Sequence, residues 1–385
     1  MLKYEAMNIL KVIKRYKKNI LLFLGLELVI LALTLPYVFF IQTNKKAEKS
    51  VSQLSSKTMT LQPTPINNEK IELETPPSSK ILSNGIQIFQ SFNNCGPASL
   101  SMALSYFGIN KSQKELGDDL RPYQIPGGDN DDKSVTLEEL AQKAEELGLT
   151  PFHRPNGNPE IIKLFIAYDI PVIARTWTKA NEDIGHYRVI KGYDSTGFIQ
   201  DDSLQGKDLH YSYSDFDLIW KKFNYEYLAL VPENKLDIAK AILSDDVNFQ
   251  KAWTRAAENA KKELEVNQND IYARFNLSVA LYNIGDFKNS VVEFEKIETS
   301  LPFRTLWYQI EPIVAYYELG DYARVFSITD KILANQNRAF SELYIIRGNI
   351  YLNQGNTNQA REEFEKAVFY NTNLKEAKDA LLRLS

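Results

Sequence analysis

The 385-residue sequence has little of the chemistry that proteins use for disulfides and metal centres. It contains one cysteine and three histidines, and it has no GxxxxGK[ST] phosphate-binding motif. A single cysteine excludes an internal disulfide and a cysteine-based zinc site, which leaves a structural thiol, a dimer link or a nucleophile. The net charge of −4 gives no overall positive field that would favour nucleic acid as a partner. We therefore expect no metal, no cofactor and no nucleic acid.

The first forty residues differ in composition from the rest of the chain. Residues 1–19 carry six Lys or Arg and one Glu, a local charge of +5. Residues 20–41 contain one ionisable group, Glu27, and a helix of that length rises about 33 Å against a hydrocarbon core of roughly 30 Å. This predicts a single transmembrane helix with a cytoplasmic N-terminus and all later residues outside the cytoplasm. A cleaved signal peptide is the alternative, although the run is long and no small-x-small cleavage site follows.

The next two segments are predicted to be a flexible linker and a domain that contains both helices and strands. Residues 42–80 are polar and rich in Ser, Thr, Lys and Pro, which predicts a flexible linker. Residues 81–233 begin with two helical patterns, of which VTLEELAQKAEELG has Thr136 as its expected N-cap. They continue with β-branched and aromatic strand-like runs, IPVIARTW, HYRVIKGY, GFIQDD and EYLALVP. Helices followed by an antiparallel sheet predict an α+β domain.

Residues 236–385 have an almost wholly helical pattern with an internal repeat. Turn signals recur at Gly285, Gly320 and Gly355, with a spacing of 35 residues both times. This region resembles tetratricopeptide repeats over about 130 residues, and solenoids of this type offer a concave surface for peptides or partner proteins. The matching positions are Phe287, Phe294 and Pro302 in the first unit and Ala360, Phe364 and Ala367 in the third, while the second unit is degenerate with Val325, Thr329 and Ile332.

The single cysteine lies in QSFNNCGPASLSMALSYFG, residues 90–108. Pro97 suits the first turn of a helix, where its missing N–H costs nothing, so Cys95 is expected at the helix N-terminus. There the macrodipole and the first-turn N–H groups stabilise a thiolate, which is the nucleophilic form. The alternative is a small buried hydrophobic residue, the commoner fate of a lone cysteine.

A base for this thiol must come from three histidines. His153 lies in TPFHRPNG, where a loop is expected, and His210 lies on an exposed-looking segment. His186 opens a predicted strand, GHYRVIKGY, and a GYDSTG turn then leads to Asp201 and Asp202. A hairpin of that size would bring one carboxylate beside the imidazole, where it would fix the tautomer and the orientation. His186 is therefore the favoured base, and a structural histidine is the alternative.

The two stretches QSFNNCGPASLSMALSYFG and GHYRVIKGYDSTGFIQDDS together resemble cysteine peptidase family 39. The matching features are a Gln before Cys-Gly-Pro-Ala, a helix ending in Tyr-x-Gly, then Gly-His-Tyr and a later Asp-Ser. Family members are papain-like enzymes, and the best known cleave leader peptides at double-glycine sites during bacteriocin export. The resemblance covers roughly 81–233 and implies a papain-like fold and hydrolysis of a peptide or protein substrate.

The resemblance also implies a role for each matching residue. Cys95 corresponds to the nucleophile and His186 to the general base and acid. Asp202 corresponds to the orienting carboxylate better than Asp201, because an Asp-Ser is typical there. Gln90 corresponds to the side-chain donor of the oxyanion hole, paired with the backbone N–H of the nucleophile. Gln87 is the runner-up for this role, and we expect it instead to be an exposed strand residue.

The sequence leaves several alternatives open. The absent phosphate-binding motif separates these residues from the exporter members, so a bacteriocin leader does not follow as substrate. The architecture resembles stand-alone, membrane-tethered bacterial relatives with tetratricopeptide repeats. A catalytically silent peptide- or protein-binding module, or an acyl transferase using the same site, are the alternative functions. The acidic run GGDNDDKS, residues 127–134, lacks the ligand order of an EF-hand and is expected to be a solvated loop.

Overall fold

The computed structural model describes residues 71–123, 129, 135–334 and 337–384. The predicted cytoplasmic N-terminus, the predicted anchor at 20–41, residues 42–70 of the linker and most of the acidic run at 127–134 lie outside these residues. Among the described helices, none combines the length and the apolar character needed to cross a membrane.

Seven strands in the described residues form one antiparallel sheet. Its order is β2-β7-β3-β4-β5-β6, with β1 paired to β4. The four strand-like runs of the sequence are β3, β4, β5 and β7, so the prediction of an α+β domain with an antiparallel sheet is confirmed. The strand bounds are β1 Lys80–Ile81, β2 Thr150–Arg154, β3 Val172–Trp177, β4 Gly185–Tyr193, β5 Gly197–Asp202, β6 Gly206–Ser212 and β7 Tyr227–Val231.

The strand β2 contradicts one expectation, because His153 lies in it rather than in a loop. The loop prediction rested on the neighbouring prolines, and it was wrong because β2 is an edge strand paired only with β7 among the described strands. An edge strand can accommodate Pro151, since its missing N–H need not pair on the outer side. Two further strands were missed from the sequence: β1, at the start of the sheet domain, and β6, which carries His210.

The helices of the sheet domain cover the sheet and supply its core. The first of them is buried on all sides, with every residue from Cys95 to Leu104 buried, so it is a core helix rather than an amphipathic surface helix. Thr136 caps the third helix as predicted, because its side chain accepts a hydrogen bond from the Glu139 N–H. The bounds are α1 Cys95–Ser105, α2 Gln113–Leu120, α3 Leu137–Glu146, α4 Pro159–Ala167 and α5 Tyr213–Trp220.

The sheet domain begins before the predicted boundary at residue 81. The backbone N–H of Glu74 donates to the Tyr168 hydroxyl at 2.8 Å, and the Tyr193 hydroxyl donates to the Pro77 carbonyl at 3.1 Å. The last residues assigned to the linker therefore pack along the domain.

The C-terminal region is a series of helices joined by short turns. Gly285, Gly320 and Gly355 have φ values of +83°, +75° and +77°, the left-handed conformation that ends helices and favours glycine. The periodic turns predicted from the sequence are therefore present. The bounds are α6 Leu236–Leu243, α7 Phe249–Val266, α8 Ile271–Asn283, α9 Phe287–Glu295, α10 Thr305–Tyr308, α11 Glu311–Glu318, α12 Tyr322–Ala334, α13 Ser341–Asn353, α14 Thr357–Tyr370 and α15 Lys375–Arg383.

The degenerate second repeat keeps the packing positions of the others. Val325, Thr329 and Ile332 are all buried, as are the corresponding residues of the third unit. Thr329 can occupy a core position because its hydroxyl donates to the Val325 carbonyl at 2.9 Å, which satisfies the buried polar group. The second unit therefore differs in residue type while retaining the buried stripe of a repeat.

The first helix of the second repeat is broken where the other repeats have one continuous helix. The equivalent helices α8 and α13 start at Ile271 and Ser341, so the period predicts a start at about residue 306. In its place α10 ends at Tyr308 and α11 starts at Glu311. Pro312 has no N–H to donate to the Tyr308 carbonyl four residues earlier. That carbonyl accepts a hydrogen bond from the Arg175 guanidinium on β3, so the break joins the repeats to the sheet.

Candidate active site

Cys95 is the first residue of α1, at the end where the helix macrodipole is positive. Asn94 precedes it as the N-cap, but its side chain does not cap the helix. Its amide instead donates to the backbone carbonyl of Gln113 on α2 at 3.0 Å. Cys95 is buried, with 5% of its surface exposed.

His186 lies between the thiol and a carboxylate. It is the second residue of β4 and pairs in register with Thr176 of β3. Its Nε2 lies 2.9 Å from Oδ1 of Asp202 on β5, and its side chain also hydrogen-bonds to Cys95. Because Nε2 is committed to Asp202, Nδ1 is the nitrogen left to face the sulfur.

The surroundings of His186 favour its charged form. Burial by itself would lower the imidazole pKa, because it removes water from the cation. The hydrogen bonds to Asp202 and Cys95, together with their negative charges, outweigh that effect and raise the pKa of His186 above its usual value. These surroundings therefore favour the imidazolium form of His186.

Asp202 is fully buried and its carboxylate is held by several donors. Oδ1 accepts from the backbone N–H groups of Leu204 and Gln205 at 2.6 and 2.9 Å, and Oδ2 accepts from Nη1 of Arg188 at 2.5 Å. Burial would raise the pKa of this carboxyl, but the His186 hydrogen bond and the charges of His186 and Arg188 lower it to about 2. Asp202 is thus an anion that fixes the orientation of the imidazole.

Arg188 is a part of this site that the sequence analysis missed. It lies two residues after His186 on β4 and is the register partner of Asp202, so it shares their face of the sheet. Its side chain is fully buried, and besides Asp202 it donates to the Thr176 hydroxyl and the Thr178 carbonyl. The sequence could have indicated this position, because residues two apart on a strand lie on the same face of the sheet.

Asp201 lies on the opposite face of β5. Its carboxylate is 2.7 Å from Nζ of Lys191 and accepts from the Asp208 N–H at 2.9 Å. The structure therefore brings Asp202, and not Asp201, to His186.

Gln90 is held against the turn that follows Asp202. Its backbone N–H donates to the Ser203 carbonyl at 2.8 Å, and its side-chain Oε1 accepts from the Ser203 hydroxyl at 2.7 Å. With its oxygen committed to Ser203, the amide presents its NH₂ group as the donor for another partner. The Asp-Ser pair in the sequence indicated Asp202, but it did not predict that Ser203 holds the Gln90 side chain.

The loop that carries Gln90 into α1 is fixed by α2. Gln113 donates from Nε2 to the Phe89 carbonyl at 2.7 Å and accepts from the Ser91 N–H at 2.8 Å. Gln87 lies in this approach to α1, outside any strand, and its Nε2 donates to the Asp202 carbonyl at 3.1 Å. The expectation of an exposed strand residue at Gln87 was therefore wrong, because the chain here packs along β5 without extending the sheet.

The other two histidines are committed elsewhere. His153 is flanked by Glu138 and Glu226, with ring-nitrogen distances of 3.5 and 3.1 Å. Burial opposes its charge, but the hydrogen bonds to both glutamates outweigh burial and raise its pKa. His210 lies on the exposed face of β6, 3.2 Å from Asp194. His186 is therefore the histidine that the structure brings to the thiol.

Comparison with known proteins confirms both resemblances. Residues 73–228 match the model of the peptidase C39-like family, and residues 341–373 match that of the tetratricopeptide repeat. The chain is 19% identical to a Bacillus anthracis protein described as a C39-like peptidase, with a TM-score of 0.35 over 41% of this chain and 99% of that one. It is also 19% identical to the peptidase domain of Streptococcus ComA, a bifunctional ABC transporter involved in a quorum-sensing pathway, with a TM-score of 0.32 over 39% of this chain and 100% of that one.

The repeats have a similar counterpart among solved structures. A thermophilic tetratricopeptide repeat protein from Thermus thermophilus is 19% identical, with a TM-score of 0.28 over 35% of this chain and 73% of that one. A search of curated proteins gave no match.

Proposed function

We propose that this protein is a papain-like cysteine peptidase that hydrolyses peptide bonds at Cys95. The observation that carries the proposal is the position of His186, hydrogen-bonded to both the thiol and the buried anion of Asp202. A cysteine at a helix N-terminus beside an oriented imidazole is the arrangement that activates a thiol as a nucleophile. The match of residues 73–228 to the C39-like peptidases supports the same chemistry.

The proposed reaction forms and then hydrolyses an acyl-enzyme. The Cys95 thiolate attacks the peptide carbonyl carbon, and the carbonyl electron pair moves to the oxygen. The Gln90 amide and the Cys95 backbone N–H stabilise this oxyanion. When the intermediate collapses, the C–N bond breaks and the His186 imidazolium gives its proton to the leaving amine. Neutral His186 then takes a proton from the water that attacks the thioester, and release of the acid product restores the thiolate and the imidazolium.

Several exposed apolar side chains lie close in sequence to the site residues. Four large apolar residues close in sequence to the site residues are exposed, namely Phe89, Phe92, Ile184 and Leu204. Phe89 precedes Gln90, and Leu204 follows Ser203, the residue that holds Gln90. Isolated apolar residues are normal on surfaces, but four that are close in sequence to site residues favour a substrate with apolar side chains.

The single cysteine permits a direct test of this proposal. Carboxamidomethylation with iodoacetamide modifies Cys95 alone, so the alkylated and native forms of one preparation can be compared on a peptide library by mass spectrometry. We expect the native protein to give new carboxyl termini and the alkylated form to give none. Cleavage that survives alkylation would overturn the proposal. Formation of an amide when an amine acceptor is added would replace hydrolysis by acyl transfer.

We further propose that the peptidase is anchored by residues 20–41 with its domains outside the cytoplasm. The support is the basic flank at 1–19 and the length of the apolar run. Protease added to intact cells is expected to digest the sheet and repeat domains, whereas a chain starting at residue 71 stays protected until lysis. If the complete chain is equally protected, the proposed topology is wrong.

A further inference from the structure

The end of the β3–β4 hairpin, just before His186, is covered by the broken helix of the second repeat. Arg304 contacts it first: its backbone N–H donates to Oδ2 of Asp183 at 3.1 Å and its Nη1 donates to Oδ1 at 3.0 Å. Both carboxylate oxygens of Asp183 are thus held by a single residue of the repeats, three positions before His186.

A second contact lies one residue before His186. A Cβ added to Gly185 would stand 2.8 Å from Cδ1 of the Tyr308 ring, closer than real Cβ atoms approach other groups. The Tyr308 ring therefore occupies the space that any other side chain at Gly185 would need. Tyr308 itself is buried, so this contact is fully packed.

Further contacts hold the opposite side of the hairpin. Trp177 is the register partner of Gly185, and its ring packs edge-on against Tyr272 of α8 with the ring centroids 5.3 Å apart. Arg175, two residues before Trp177, donates to the Tyr308 carbonyl that Pro312 leaves without a helical donor. The break in the first helix of the second repeat therefore places Tyr308 beside Gly185.

We propose that the repeats position the catalytic histidine, with Tyr308 and Arg304 as the positioning residues. Arg304 binds Asp183 and Tyr308 packs against Gly185, so together they fix the start of β4. The position of β4 in turn holds the imidazole of His186 between Cys95 and Asp202. Both residues act through the backbone at the start of β4. The inference rests on the proposed peptidase function, and it makes the repeats part of the active enzyme in addition to any surface for partners.

Variants of the whole chain test this inference. Tyr308→Ala is expected to lower kcat by about 10- to 100-fold with KM within about twofold, because a misplaced base slows chemistry more than it weakens binding. The rate of Cys95 alkylation at pH 6 is expected to fall as well, since the imidazolium no longer stabilises the thiolate. Tyr308→Phe keeps the ring and should restore both values. Phe303→Ala removes an exposed aromatic residue of the same segment and serves as the matched control.

The outcomes separate this inference from the proposed function. If Tyr308→Ala does not fold, Arg304→Gln decides, because Arg304 is a partly exposed residue whose loss should still lower kcat and alkylation at pH 6. An active wild type whose variants keep kcat and the alkylation profile overturns the positioning inference alone. A wild type without turnover, whose thiol alkylates like free cysteine at every pH, overturns the proposed function.

Discussion

A His186→Ala variant is expected to lose peptide turnover by about 10⁴- to 10⁶-fold, the scale seen when a residue of a nucleophile–base pair is removed. The reason is that His186 both stabilises the thiolate and protonates the leaving amine. In the native protein burial lowers the pKa of His186, but the hydrogen bonds to Asp202 and Cys95 outweigh burial and raise it, which favours the imidazolium. Removing it leaves the thiol with the helix N-terminus as its main stabilising feature.

The pH dependence gives this prediction a second measurement. Free thiols ionise at a pH of about 8.5, so without the imidazolium the rate of alkylation should fall at least about tenfold between pH 8.5 and 6. In the native protein the thiolate should persist through that range. Turnover by the native protein should fall on the alkaline side, as the pH rises through the raised pKa of His186 and the leaving amine loses its proton donor.

A matched control uses another histidine of the same sheet. His210 is exposed on β6 and lies beside Asp194, so His210→Ala should leave turnover and the alkylation profile unchanged. If His186→Ala retains turnover within about tenfold of the native protein, His186 is not the base and the proposed mechanism is wrong.

The placement of the site residues could largely be predicted because it depends on local structure. Pro97 in the first turn and the buried pattern that follows put Cys95 at a helix start. The GYDSTG turn joins two strands directly, so the register of β4 and β5 brings Asp202 near His186. Such hairpin geometry is fixed by short-range turn chemistry, which a single sequence displays.

Two kinds of feature could not be predicted: the burial of a charged side chain and the strands at the edges of the sheet. The spacing from His186 predicts the face of the sheet on which Arg188 lies, but not its full burial, because burial depends on which elements cover the sheet. The strands β2 and β6 form the two ends of the sheet order, and polar or proline-containing residues are tolerated there. Their sequences therefore lack the β-branched and aromatic runs that marked β3, β4, β5 and β7.

The second repeat departs from the tetratricopeptide pattern, but the sequence alone does not show the structural reason. Its departure from the tetratricopeptide pattern predicted a degenerate unit, whereas the structure shows a helix interrupted at Tyr308 and Pro312 that contacts the sheet domain. A proline inside a helical pattern predicts a break, yet the partner of the released carbonyl is Arg175, more than one hundred residues earlier. Long-range contacts of this kind require the structure.

An Arg188→Met variant is expected to lose about 3 to 5 kcal/mol of unfolding free energy at pH 7, measured by denaturant titration. Methionine fills a similar volume without charge, so the loss reports mainly on Asp202. That carboxylate is fully buried and would lose its 2.5 Å partner, which leaves an incompletely compensated anion in the core. Lys114→Met, which removes an exposed cation that lies 2.5 Å from Asp118, should cost little and is the matched control.

The loss should depend on pH with a definite sign. In the native protein the pKa of Asp202 is lowered from 3.8 to about 2, so its ionisation contributes about 2 to 3 kcal/mol of stability above pH 4 that is lost as the pH falls towards 2. Without Arg188 the folded-state pKa rises, and protonation then relieves the buried charge. The difference in stability between the native protein and the variant should therefore shrink between pH 4 and 2, and a constant difference would contradict this account.

A double variant separates charge from packing at this site. Arg188→Met combined with Asp202→Asn removes both buried charges, and replacing both members of a buried pair is often close to neutral. We expect the double variant to recover at least about half of the stability lost by Arg188→Met, because no uncompensated anion remains. If the double variant is as unstable as the sum of its single changes, the cost of losing Arg188 comes from packing against Tyr211, over whose ring the guanidinium lies at 5.0 Å, and not from the buried charge.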